Sequence, residues 1–111
     1  MAIKTLKNHQ AIGLIASTQP DTIRAQYDNI LAALSYDWEV DVVFFNETAK
    51  HLLAPEKSQA NPWKALPLYG VNCWYLANHG RVEEDLAFCI PLKHISSQQL
   101  AMTLVRHPWI I

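Results

Sequence analysis

Two cysteines and five histidines are the side chains of this 111-residue chain best suited to covalent or metal chemistry. Cys73, within VNCWYL, is the leading candidate, because a thiolate is an effective nucleophile and carries sulfur as a persulfide where its surroundings lower its pKa. The same position also suits a small apolar side chain on a buried strand, cysteine being among the most buried residue types. Both readings remain open from the residues alone. Cys89, inside the apolar stretch 87–90, reads as core. His79 and His94 could join Cys73 in a metal or thiol-activating cluster. Cys73-x5-His79 matches no zinc spacing, however, and the plainer expectation is one exposed turn histidine and one half-buried strand histidine. His9, His51 and His107 are scattered and carry no signal. Glu83-Glu84-Asp85 reads as a solvated helix start, with a contact for a basic partner as the lesser option.

Other chemistries lack their residues. Three glycines, Gly13, Gly70 and Gly80, cannot write a G-x-G-x-x-G or P-loop phosphate cradle. A phosphoacceptor receiver would need acidic residues at the first and middle strand ends, where Ala16-Ser17 and Asn46 stand instead. No G-x-S-x-G elbow is present. No cofactor and no metal are expected.

Ala11–Ala16 is a short apolar run suited to a strand buried on both faces. Ser17 to Asp21 holds helix-start signals. Ile23, Tyr27, Ile30, Leu31 and Leu34 then recur at helical spacing over 22–35. Val40–Phe45 is a second strand. A short helix fits 47–53, and Pro55, Pro62 and Pro67 make the next segment a loop or a short helical excursion. Val71–Ala77 is a third strand, Asn78-His79-Gly80 a turn, and 81–88 holds a helical turn or so. Leu92–Ile95 is a fourth strand. Ser96 or Ser97 caps a helix with Leu100, Leu104 and Val105 on one side, and Pro108 separates it from a last strand, Trp109–Ile111.

This alternation predicts a single α/β domain over 1–111, three-layered and flavodoxin-like, with a mainly parallel sheet of about five strands and right-handed crossovers. In such sheets functional groups gather at the strand carboxyl ends, here Ser17–Asp21, Asn46–Thr48 and Ala77–Gly80.

Composition narrows the partners. Nine Lys and Arg against ten Asp and Glu leave no basic excess for direct nucleic-acid binding. Apolar runs fall far short of the ~20 residues that span a bilayer, and the first ten residues are polar, so a cytoplasmic protein without a membrane contact is expected. Only 17% of residues are charged while half are apolar. Double-sided strands absorb part of that imbalance. Trp63, Tyr69, Trp74 and Trp109, outside the helix stripes, then become candidates for a subunit interface.

The segments AIGLIASTQP, DVVFFNETAKHLL, LPLYGVNCWYLA and the closing WII, in that order, resemble the TusC/DsrF branch of the DsrE-like sulfur-relay proteins. The resemblance covers most of the chain. Its most specific parts are Val42-Val43-Phe44-Phe45 with the short helix ending in Leu52-Leu53, and Leu68-Tyr69-Gly70-Val71 with Cys73-Trp74. It implies a small subunit of a multi-subunit assembly, homomeric or mixed with other DsrE-like subunits. Such assemblies pass persulfide sulfur between protein donors and acceptors toward tRNA wobble-uridine thiolation, or act in sulfur oxidation. In that superfamily the working cysteine lies in a loop after the third strand of a DsrE/TusD-type subunit, and Cys73 occupies the comparable part of this chain. Cys73 differs in falling within a predicted strand and preceding Trp74. The resemblance therefore names Cys73 as the one persulfide-carrier candidate, and a non-catalytic oligomeric or regulatory module of the same fold as the alternative.

Overall fold

The computed structural model describes residues 9–54, 61–76, 88–107 and 109–111. In chain order the elements are strand β1 (Gln10–Ile15), helix α1 (Pro20–Ser35), β2 (Glu39–Phe45), α2 (Asn46–Leu52), a 3₁₀ helix (Pro62–Tyr69), β3 (Asn72–Leu76), β4 (Lys93–Ile95), α3 (Ser97–Arg106) and β5 (Trp109–Ile110). The five strands form one all-parallel sheet in the order β4-β3-β2-β1-β5. Helices lie on both faces, so the α/β three-layer architecture expected from the sequence is the one observed. The predicted turn at 78–80, with His79, and the acidic run 83–85 lie outside the described residues.

Apolar content explains the layering. Val42, Val43 and Phe44 of the central strand are all fully buried, although neighbouring side chains on a strand point to opposite faces. Such a run needs cover on both sides. On one face Val42, Phe44, Ala11, Ile15, Cys73 and Tyr75 pack with α1, α2 and the 3₁₀ helix. On the other, Ile12 and Val43 pack with Ile95 and with Leu100 of α3. The α1 face holds the larger core.

Local signals set the helix ends. Pro20 opens α1 at its first turn, where a missing N–H costs nothing. The turn after α1 places Asp37 at φ 63°, a conformation that short polar residues tolerate better than branched ones. Ser96 caps α3 in a reciprocal box: its Oγ accepts from the Gln99 N–H at 3.0 Å, and Gln99 Oε1 accepts from the Ser96 N–H at 2.9 Å. The proline-punctuated segment is a 3₁₀ helix of eight residues, longer than such helices usually run. Asn61 starts it by accepting the Trp63 N–H, and Gly70, at φ 82°, ends it in the left-handed conformation that glycine alone adopts freely.

Two expectations from spacing are corrected. Val105 is 87% exposed and does not join Leu100 and Leu104. Five residues on a helix turn a side chain about 140° from its starting direction, whereas four bring it nearly back over the first. Trp63 is not a surface residue either. It is 3% exposed, wedged between Tyr27 and Phe44 with ring centroids 5.1 and 5.5 Å away, so it belongs to the core.

Candidate functional site

Because all strands are parallel, the sheet has a carboxyl end and an amino end, and polar side chains collect at both. At the carboxyl end lie two residues that the sequence flagged. Asn46 and Thr48 begin α2 directly after β2 and are buried. The Thr48 hydroxyl reaches the carbonyls of Ile15, at the end of β1, and of Phe45, at 2.8 Å from the latter. Tyr75, fully buried on β3, donates its hydroxyl to Asn46 Oδ1, while Asn46 Nδ2 donates to Glu47 at 3.1 Å. These groups satisfy one another and the strand ends. They stitch β1, β2 and β3 together.

Beside this network is a groove of about 430 Å³ lined by Thr18, Arg24, Tyr27, Asp28, His51 and Trp63, among others. Arg24 and Asp28 stand one helical turn apart on α1, offering opposite charges on one face. His51, expected to carry no signal, stands across from them on α2.

Cys73, the one nominated nucleophile, is the second residue of β3, opposite Val42 in the sheet register. Its side chain faces the α1 layer and is 6% exposed. Burial, with a smaller contribution from the Asp41 carboxylate, pushes the thiol up to about 12. Both influences disfavour the anion. The Sγ has one weak polar neighbour, Val71 O at 3.9 Å. Cys73 and Cys89 are both free thiols. Cys89 is half-buried, with its N–H donating to Leu53 O at 2.8 Å and its sulfur 3.6 Å from Asn61 Nδ2. His94 is exposed on edge strand β4 and meets the edge of the Tyr75 ring, 5.5 Å between centroids. Among the described residues no group of three or more His, Cys, Asp or Glu could hold a metal ion. No helix among them is long and apolar enough to cross a membrane.

The amino end holds the pair that sequence reasoning missed. Asp41 and His107 meet with Oδ2 and Nε2 2.8 Å apart. They line a polar cavity of about 340 Å³ together with Gln10, Glu39, Tyr69, Asn72 and Arg106. Asn72 donates to Asp41 Oδ1 at 2.9 Å, and Gln10 donates to Glu39 at 3.0 Å. Asp41 carried one signal in the sequence, a charge inside the apolar run DVVFF. His107 carried none, since its partner is 66 residues away.

The interface candidates separate into two kinds. Trp74 is half-buried on the α3 face with Lys93 Nζ 5.4 Å from its ring, and its buried Nε1 has no hydrogen-bond partner. Tyr69 and Trp109 are exposed over half their surface, as are Tyr36 and Leu68, the last at 85%. Trp109 still leans on Trp38, 5.6 Å between centroids, and Trp38 stacks on His9 at 4.9 Å. Fold and geometry thus define a small parallel α/β domain with one deeply buried thiol, a polar pair at the amino end and large apolar side chains on its surface. The chain matches no protein-family model and no curated protein.

Proposed function

We propose that this chain is a packing subunit of a sulfur-relay assembly resembling TusC/DsrF, in a cytoplasmic setting where free thiols persist. Its contribution is surface rather than a nucleophile. The observation that carries this reading is the contrast between Cys73, sealed in β3 with its thiol pushed up to about 12, and the large apolar side chains left outside at Leu68, Tyr69 and Tyr36. At neutral pH a thiol of that strength is ionised in roughly one molecule in 10⁵, too few for efficient sulfur capture. Carriage by Cys73 would require the layer packed over β3 to open. Large apolar side chains left exposed are of the kind that a subunit interface covers. The order of segments and the local sequence LYGVNCW support the sulfur-relay assignment over a module of the same fold unconnected with sulfur.

The test combines mass and size. Incubated with a cysteine desulfurase and a persulfide-charged donor of the DsrE type, the wild-type chain is expected to gain no sulfur on Cys73 by intact mass. It is expected to comigrate with DsrE-like partner subunits, and Leu68→Ser to weaken that association. A sulfur adduct that disappears in Cys73→Ser overturns the packing role. Absence of any association with such partners overturns the relay assignment.

A further inference from the structure

His107 closes α3 and leads into β5. Its backbone N–H donates to Leu104 O at 3.2 Å, leaving the Thr103 carbonyl to the histidine's own ring, whose Nδ1 lies 2.7 Å from Thr103 O. The other ring nitrogen, Nε2, lies 2.8 Å from Asp41 Oδ2 on β2. The second Asp41 oxygen accepts from Asn72 Nδ2. The His107 and Asp41 side chains are only 10% and 18% exposed, so water competes poorly for either contact.

Each imidazole nitrogen therefore faces an oxygen that offers only lone pairs, a carbonyl on one side and a carboxylate on the other. Neutral imidazole has one N–H and one lone pair. Whichever nitrogen holds the proton, the other contact sets lone pair against lone pair at under 3 Å. Both contacts are hydrogen bonds only when the pair holds one proton more than a neutral imidazole and a carboxylate, as an imidazolium opposite the Asp41 carboxylate does. The neighbouring charges bear on this. The negative end of α3 and Glu39 on β2 favour the cation, and Arg106 on α3 opposes it. The other elements lining the cavity contribute uncharged groups: Gln10 from β1, Asn72 from β3 and Tyr69 from the 3₁₀ helix.

We propose that Asp41 and His107 form a proton-dependent latch on the α3–β5 crossover. Protonated, it ties the carboxyl end of α3, and with it the start of β5, to the central strand β2. Deprotonated, it gives up one of its two contacts and loosens the segment that lays β5 beside β1. The latch is independent of any sulfur chemistry. Its sign follows from the contact that the extra proton makes: the stabilisation is present in acid and lost as the pH rises.

Asp41→Asn tests this directly. The amide can donate to Nε2 while its carbonyl still accepts from Asn72, so a neutral His107 keeps both contacts. Urea unfolding of both proteins at about pH 5.5 and about pH 8 brackets the histidine range. The unfolding constant of the wild type is expected to rise about tenfold more than that of Asp41→Asn over this interval. Equal rises in the two proteins overturn the latch. A second measurement on the unmodified chain covers a variant that fails to fold. Imidazole ¹⁵N shifts are expected to show both His107 nitrogens protonated in acid, with faster amide exchange at Ile111 once one proton is lost. A ring carrying a single proton throughout overturns the proposal.

Discussion

The two ends of the sheet use polar side chains in opposite ways. At the carboxyl end, Thr48 and Tyr75 hydrogen-bond to backbone carbonyls and to Asn46 through uncharged hydroxyl and amide groups. At the amino end, Asp41, His107 and the Thr103 carbonyl are matched only when the Asp41–His107 pair holds the extra proton. Both arrangements bury polar atoms, but one is indifferent to pH and the other is not. Among the described residues, Asn46, Thr48 and Tyr75 at the carboxyl end join strand ends to one another.

Substitutions can break this contrast, beginning with the largest effect. Trp63→Ala removes the ring that fills the space between α1 and β2, and is expected to cost about 3–5 kcal/mol in urea unfolding, equally at acid and neutral pH. A loss near zero would return Trp63 to the surface. Thr48→Val keeps the shape but removes the one hydroxyl proton that the Ile15 and Phe45 carbonyls share. The expected cost is about 1–3 kcal/mol, again unchanged between pH 5.5 and pH 8, which separates this end from the latch. The effect at Cys73 is confined to alkaline pH and is absent at neutral pH. Its folded thiol is raised to about 12 from an ordinary value of 9, so it retains a proton that the unfolded thiol sheds. Stability is therefore whole below about pH 9 and declines as the pH climbs toward 12, and Cys73→Ala should flatten that decline in alkaline unfolding curves. A wild type and variant with the same alkaline profile would show that Cys73 is not sealed.

Much of this architecture was legible in the chain. β1, α1, β2, β3 and α3 stand within two residues of where periodicity and capping residues put them, because each is dictated by neighbours close in sequence. Cys73 was correctly placed on a strand by VNCWYL, though only the packed sheet shows how little of its sulfur reaches solvent. What escaped were features made by distant segments. Nothing local to Trp63, between two prolines, says whether its ring turns inward or outward, and Phe44 and Tyr27 decide it. The Asp41–His107 pair exists because β2 is central and α3 ends over it, and neither fact is written near either residue.

The strand order also carries a consequence for assembly of the chain in time. β1 to β4 line up in the order of synthesis, each beside its predecessor, so four strands can zip together through short closures. β5 must instead travel back across the sheet to pair Trp109 with Ala11, joining the far ends of the described chain in two residues of ladder. That two-residue pairing at the sheet edge is the shortest ladder in the sheet, which makes the fifth strand the first to open locally.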